Sequence, residues 1–448
     1  MNKAAKLTEK EYEKNLEELV PPFSNTAANN EANRCLYCYD SPCTRACPTH
    51  IDISAFIKKI ATGNLLGSAK TIFHSNWVAL TCAKACPVED LCEGACVYVE
   101  KGEKPIEIGR LQRFSVDNYF ESGMPDLFAP KTKNGKSVGI IGSGPAGLAC
   151  GAELALMGYD VQVYESNEIP GGLNTWGIAP YKTRRADSLK EVQMIKNLGV
   201  KIQTSVLVGK SISVGELLDK HDALFVGVGL GDSPSMSIPG EDLNGVTRAL
   251  EFIRKVKMED WKSVDVGKRV AVIGAGNTSI DVATECKRLG AEEVMILYRR
   301  SETEMPANNF EYRLAKNDGI VFHFLTYPIK ILGNKEVKGI ECVKMKLGRK
   351  DSQDRKKPVP VQNSEFVIPI DMVITAIGQV PKTEFLKSIP NLKMKNNCVV
   401  VNPDTFQTGN PKVFAGGDCI NGGKEVVNAA YDGKQAAYGI DEYLIKNQ

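Results

Sequence analysis

Residues 137–165 read SVGIIGSGPAGLACGAELALMGYDVQVYE, and this stretch constrains the fold more than any other. Val138–Ile141 is a short apolar run of strand character. It meets Gly142, Gly144 and Gly147, spaced G-x-G-x-x-G, and an amphipathic helix pattern follows. A second apolar run, Asp160–Tyr164, is closed by the acid Glu165. Strand, tight turn, helix, strand and acid is the order of a dinucleotide-binding βαβ unit. Gly142 makes the turn, Gly144 lets backbone approach a pyrophosphate, and Gly147 lets the helix lie close on the strand. The helix start offers free N–H groups to phosphate, and Glu165 sits where a ribose hydroxyl needs an acceptor. A glycine-rich turn that binds nothing has the same spacing; the placed helix and acid argue against it.

A second fingerprint begins at Arg269, RVAVIGAGNTSIDVATECKRLG. Val270–Ile273 reads as a strand, and Gly274, Gly276 and Ser279 repeat the spacing with a small third residue. The next strand, Val294–Tyr298, ends in Arg299 and Arg300 rather than an acid. An acid accepts from a ribose 2′-hydroxyl but repels a 2′-phosphate, and guanidinium groups do the reverse. The alternative is an exposed arginine pair on a solvated turn. Asp281 reads either as a polar group on the cofactor side or as a favourable acid near a helix start.

Three further stretches fit the same chemistry. Gly171-Gly172-Leu173 is a loop able to close over a flat ring. Ala223–Gly229 (ALFVGVG) and Met372–Ile377 (MVITAI) read as buried strands that run into glycines. Val413-Phe-Ala-Gly-Gly-Asp418 gives strand, glycines and an acid before a helix over roughly 426–444. An acid there can accept from a polyol, although Asp418 alone would pass for a helix cap. The free ribose suits Glu165 and the arginines do not. FAD is therefore expected at the first site and NADPH (or NADH) at the second. The flavin residues are Gly142, Gly144, Ala146, Gly147, Glu165, Gly172, Leu173, Gly417, Asp418, Val426 and Val427. The NADP residues are Gly274, Gly276, Asn277, Thr278, Arg299 and Arg300. Cys286 and Cys150 stand alone on their helices, so a flavin–dithiol reductase is disfavoured.

Of the 13 cysteines, eight fall within residues 35–96. Cys35, Cys38, Cys43 and Cys47 are spaced C-x2-C-x4-C-x3-C before Pro48. Cys82, Cys86, Cys92 and Cys96 follow as C-x3-C-x5-C-x3-C, with Pro87 after Cys86. Structural zinc favours paired C-x2-C units or Cys/His mixtures; closely set thiolates with C-P steps suit cubane iron–sulfur clusters. On spacing alone Cys35, Cys38 and Cys43 hold one cluster and Cys47 crosses to another, with zinc and inert buried thiols as competing readings. The opening MNKAAKLTEKEYEKNLEELV has no apolar core of a signal peptide, so metal ligation in the cytoplasm is expected rather than disulfides. A net charge of +2 makes no electrostatic case for nucleic acid or an anionic membrane. At 448 residues, with 43% hydrophobic and 25% charged, two or three ordinary globular domains are expected.

These motifs together resemble the NAD(P)H-oxidising subunit of bacterial dihydropyrimidine dehydrogenase, the N-terminal part of the eukaryotic enzyme and, more distantly, the glutamate synthase small subunit. The resemblance runs nearly the whole chain. It is most specific in RCLYCYDSPCTRACPTHIDI, VALTCAKACPVEDLCEGAC and IEIGRLQRF. It implies an α/β chain in which a helical iron–sulfur domain precedes two Rossmann-like domains, the second inserted in the first as in glutathione reductase. The expected boundaries are 1–130, 131–253, 254–371 and 372–448. It also implies that Cys35, Cys38, Cys43 and Cys96 hold one [4Fe–4S] cluster, and that Cys47, Cys86, Cys92 and the side chain of Gln112 hold the second. Cys82 is then a spare thiol. The chain departs from relatives at Tyr181–Ala186, where their Arg-Leu-Pro sequence is missing.

The resemblance further implies an electron-input module. NAD(P)H would be oxidised at FAD and electrons passed through the clusters to an FMN- and iron–sulfur-containing subunit that reduces uracil or thymine, in a hetero-oligomer. The alternatives are a small subunit of glutamate synthase, a ferredoxin-linked transhydrogenase or sulfide dehydrogenase, and a redox sensor that binds dinucleotide without turnover. No catalytic acid or base is singled out.

Overall fold

The computed structural model describes residues 1–447 apart from 232, 259 and 351–355. The chain forms two compact units. One comprises Leu19–Thr175, Lys182–Gly231 and Pro381–Gln448; the other comprises Met1–Glu18, Trp176–Tyr181 and Asp232–Val380. The second nucleotide-binding domain is thus inserted in the first.

The larger unit begins with short helices whose starts are capped by their own sequence. Ser24 Oγ accepts from Ala27 N before helix Asn25–Arg34, Asp52 accepts from Ala55 N before Ile53–Ala61, and Asn64 accepts from Gly67 N before Leu65–Ser75. In Ile53–Ala61 the apolar residues Ile53, Phe56, Ile57 and Ile60 recur at helical spacing, and all four are buried. They pack with Phe73, Leu80, Leu111 and Val116 in a core that continues through Val138, Leu154, Val161 and Phe225. The cysteine-bearing helices and the first nucleotide sheet therefore share one interior. Each large side chain fully buried there contributes roughly 1.5–3 kcal/mol. Trp77 Nε1 donates to Glu153 Oε1 (2.9 Å) across this core.

The sheet has five parallel strands, in the order Val413–Ala415, Ala223–Val226, Ser137–Ile141, Asp160–Tyr164 and Lys201–Gln203. Ile141 pairs with Val226 on one side and Tyr164 on the other. The chain order reverses beside the Ser137–Ile141 strand, and the carboxyl ends at such a switch point are where ligands sit in open α/β sheets.

The smaller unit repeats the plan, with parallel strands in the order Val246–Arg248, Met372–Thr375, Arg269–Ile273, Glu293–Leu297 and Val321–His323. A second, antiparallel sheet of Thr326–Gly333, Val337–Lys350, Lys356–Pro360 and Phe366–Ile368 follows, with no counterpart in the sequence reading. Residues 1–18 belong to this unit: Ala4 N donates to Val266 O and Lys268 N to Asn2 O, at 2.8 and 3.0 Å. Among the described residues no helix is long and apolar enough to cross a membrane.

Candidate functional site

The first glycine turn is built as its spacing demands. Gly142 has φ +98°, and a Cβ there would lie 2.5 Å from Gly227 O. A Cβ on Gly147 would lie 2.0 Å from Gly142 O, so only glycine lets helix Pro145–Leu156 sit this close to its strand. At Gly144 an added Cβ would meet nothing nearer than Gly172 Cα at 4.0 Å, which leaves room for a ligand to approach backbone. No side chain caps the helix that starts here, so its first amides remain available to an anion.

Glu165 is buried and heavily engaged. It accepts from Ser143 N (2.9 Å), Ser143 Oγ (2.6 Å), and Asn167 N and Nδ2 (both 2.7 Å). Burial pushes its carboxyl up, but these bonds together outweigh that and hold it below the ordinary carboxylate range. A ribose diol would donate to Glu165 in place of the Ser166 hydroxyl, which is held at 3.2 Å and rotates about its C–O bond. Ser143 Oγ also accepts from Gly171 N (3.0 Å), tying the turn to the Gly171–Gly172 loop. Thr175, two residues past Leu173, holds that loop through Pro170 O and Ser188 Oγ, both at 2.8 Å.

The C-terminal turn lies in the same unit. Gly417 has φ +76° and its N–H is bound by Asp432 Oδ2 (3.1 Å), which also takes Asn421 Nδ2 (3.3 Å). Asp418 accepts from Lys424 N at 3.2 Å, and burial pushes its carboxyl up. Ala146 packs against both Gly417 and Gly433: a Cβ on Gly433 would lie 2.0 Å from Ala146 O. That contact seats helix Val426–Lys446, at its eighth residue, against the first fingerprint. No side chain caps this helix, so the amides of Val426 and Val427 head an open N-terminus.

In the smaller unit, Gly274 and Gly276 form the equivalent turn. A Cβ on Gly274 would lie 2.2 Å from Ala376 O and 2.8 Å from Ser279 Oγ. Asn277 and Thr278 open helix Asn277–Arg288, and Asn277 Oδ1 accepts from Asn308 N (3.1 Å). Arg299 is exposed. Arg300 is buried, and its Nε donates to Lys356 O (3.1 Å). Asp281 is buried and accepts from the Tyr181 hydroxyl (2.9 Å), a structural engagement that neither reading of the acid had anticipated.

The eight cysteines within residues 35–96 fall into two groups, both in the larger unit. Cys35, Cys38, Cys43 and Cys96 line one pocket whose other walls include Pro42, Ile53, Ile57 and Ile108. Burial raises the thiols of Cys35 and Cys43, the latter to about 11, and each is raised further by Cys96. In the other group, Cys86 is pushed well up, most by its hydrogen bond with Cys82, then by burial, then by Cys92 and Cys47. Cys92 is raised by burial, by Glu93 and by Cys47. Thiols this crowded and dry resist ionising without a positive partner, and iron supplies one. Gln112 is buried beside helix Ala79–Ala85, and its Nε2 donates to Ala79 O (2.8 Å). That bond fixes the amide and turns Oε1 away from Ala79, where it can serve as a donor atom. Among the described residues no three His, Cys, Asp or Glu side chains converge on one point as for a single ion.

Sequence reasoning passed over Ser143, Asp432, and the side chains that join the cysteine helices to helix Arg185–Asn197. Ser143 lies inside the fingerprint, where a hydroxyl between two glycines was the available signal. Asp432 lies 14 residues past Asp418, in the second helical turn of Val426–Lys446.

Two glycine turns on parallel sheets, one domain inserted in the other, and thiol groups in the first domain's own core define an iron–sulfur flavoprotein oxidoreductase. Residues 12–124 match the family described as dihydropyrimidine dehydrogenase domain II, 4Fe-4S cluster, and residues 136–433 match pyridine nucleotide-disulphide oxidoreductase. The chain belongs to the pyridine nucleotide-disulphide oxidoreductase family. It is 36% identical over 430 residues to the NADP(+)-dependent formate dehydrogenase subunit beta of Moorella thermoacetica, covering 90% of this chain and 60% of that one. It is 33% identical to the glutamate synthase [NADPH] small chain of Escherichia coli K12, over 95% of this chain and 93% of that one. It is also 33% identical to the NAD-dependent dihydropyrimidine dehydrogenase subunit PreT of the same organism, over 96% and 97%. Among solved structures, Mycobacterium tuberculosis FprA in complex with NADPH superposes with a TM-score of 0.57 at 21% identity, covering 69% of this chain and 85% of that one; this shows the fold.

Proposed function

We propose that the chain is the electron-input subunit of a dihydropyrimidine dehydrogenase. It would bind FAD in the larger unit and NAD(P)H in the smaller one, carry two [4Fe–4S] clusters, and pass electrons to a partner subunit that reduces uracil or thymine. The observation that carries the reading is Gln112, its amide oriented by Ala79 O at the start of the helix that leads into Cys86, whose thiol is crowded by Cys92 and Cys47. FAD, when bound, takes two electrons as hydride and releases them singly, as iron–sulfur clusters require.

The residues prepare that chemistry. The 142–147 turn and the Val426–Lys446 helix start present amides to phosphate and to negative charge. Glu165, held ionised by Ser143 and Asn167, accepts from a ribose. The dry pocket around Cys35, Cys38, Cys43 and Cys96 surrounds a space rather than a point, which suits a cube of iron and sulfide. Cys47, Cys86, Cys92 and Gln112 would hold the second cluster, and a neutral amide there makes it less negative by one charge than four thiolates, raising its potential.

Arg299, exposed at the end of the Glu293–Leu297 strand, favours NADPH over NADH. The equal likeness to the glutamate synthase small chain supports a second reading, in which the partner carries out glutamate synthesis. Anaerobic addition of NADPH to the purified chain tests the shared part: flavin absorbance should bleach, and uracil should stay unreduced until the partner is added. Bleaching that never occurs favours a non-catalytic sensor. Co-purification of a glutamate synthase large subunit favours the second reading.

A further inference from the structure

Helix Ala79–Ala85 carries Cys82 and ends at Cys86. Two buried contacts fasten it to helix Arg185–Asn197. Val78 occupies its cap position and offers no capping side chain. Glu191 caps it from outside, accepting from Thr81 N at 2.9 Å and from the Thr81 hydroxyl at 2.5 Å. One turn further on, Lys84 Nζ donates to Asp187 Oδ2 at 2.8 Å, with the two side chains 3% and 8% exposed. Asp187 and Glu191 are four apart and share one face of their helix. Asp187 also accepts from Arg184 N (3.0 Å), which fixes its carboxylate. The adjacent Ser188 bonds Thr175 in the flavin-side loop.

A buried ion pair contributes little net stability, because desolvation offsets the attraction. Its location matters more. Lys84 lies two residues before Cys86 on the same stretch of chain, and its side chain is buried. Adding one electron to a cluster adds one negative charge. A fixed cation nearby favours that step and a fixed anion opposes it, more strongly in a low-dielectric interior than in water.

We propose that the Lys84–Asp187 pair sets the reduction potential of the cluster held by Cys86, Lys84 raising it and Asp187 restraining it. This rests on the iron–sulfur reading of Cys86 given above. Both are positioning charges that act through space on the charge of the cluster. Glu191 and Thr81 hold the pair in place by fixing the helix on which Lys84 rides. Of the charged groups on the facing helix, Asp187 meets Lys84 directly and Glu191 is committed to Thr81.

The test is a potentiometric titration of the anaerobically purified full chain, following the electron paramagnetic resonance signal of each cluster. Lys84→Met should lower the midpoint of the cluster held by Cys86, and Asp187→Asn should raise it. Each should change the reduced-to-oxidised ratio at fixed potential by about tenfold, ~59 mV for a one-electron couple. A helix merely loosened would move both variants in the same direction, so shifts of equal sign, or no shift in either, overturn the proposal. Asp187→Asn leaves a buried cation unpaired and can fail to fold. The double variant Lys84→Met/Asp187→Asn removes both charges and should return the midpoint close to wild type; a large residual shift also overturns the proposal. Absence of any cluster signal in wild-type protein at full iron loading would instead remove the iron–sulfur reading of Cys86, a separate and recognisable failure.

Discussion

Ser143 binds Glu165 twice, through its backbone N–H at 2.9 Å and its hydroxyl at 2.6 Å, while the same hydroxyl accepts from Gly171 N at 3.0 Å. One side chain therefore links the 142–147 turn, Glu165 and the Gly171–Gly172 loop, the three parts proposed to hold FAD. A hydrogen bond to a charged group is worth about 1.5–3 kcal/mol. Ser143→Ala removes the hydroxyl bond and frees the Gly171–Gly172 loop. FAD should bind about tenfold more weakly, as measured by flavin fluorescence on titrating the apoprotein. An unchanged dissociation constant would show that the loop holds its place without Ser143.

The two cysteine groups make a contrasting pair of predictions. Cys82 bonds to Cys86 but lies outside the proposed ligand set. Cys82→Ser should keep the full iron content, with altered resonance from one cluster only. Gln112→Ala removes a proposed ligand and its bond to Ala79 O, and should lower the iron content or change one cluster's spectrum outright. Loss of a whole cluster's iron in Cys82→Ser would reverse the assignment of these two residues.

Glu191 gives a pH dependence with a defined sign. Burial raises its carboxyl to about 8, against the bonds from Thr81 and Leu80, which lower it. Between an unfolded value near 4.5 and about 8, the folded chain holds a proton that the unfolded chain has released. The contribution is therefore full below that lower value and is lost as pH rises through about 8. Glu93, raised to about 7 chiefly by burial, acts with the same sign over a lower window. Thermal midpoints should fall between about pH 5 and about pH 8 in the wild type and level off above about 8, and should fall less steeply in Glu191→Gln. Parallel pH profiles would show that Glu191 does not titrate in that window.

The parts legible in the sequence are those whose function needs a fixed local spacing. Gly142, Gly144 and Gly147 are close in sequence because one turn uses them all, so strands Ser137–Ile141 and Asp160–Tyr164 could be placed almost to the residue. The cysteine runs carry their chemistry in the same way. The antiparallel sheet of the smaller unit was not legible. Strand Val337–Lys350 loses its alternation where the register against Thr326–Gly333 shifts, between Val337 and Gly339 and again between Glu341 and Cys342. Long-range polar contacts left no local pattern either: Lys84 meets Asp187 103 residues away, and Tyr181 meets Asp281 100 residues away. Each of these residues reads alone as a surface charge or a core aromatic, and only the fold supplies its partner.

The proposed preference for NADPH rests on which arginine is presented. Arg300 is buried and its Nε donates to Lys356 O, so part of its guanidinium is committed to the antiparallel sheet. Arg299 is exposed at the end of its strand and can grip a 2′-phosphate in the bidentate manner open to guanidinium. Arg299→Ala should reduce kcat/KM for NADPH about tenfold and leave NADH within about twofold, in steady-state assays with an artificial acceptor; one charge-assisted contact is worth about 1.5–3 kcal/mol. Arg300→Ala should instead lower the thermal midpoint and impair both coenzymes together. If Arg299→Ala leaves the NADPH-to-NADH ratio untouched, phosphate recognition lies elsewhere in the unit, and the preference for NADPH loses its support.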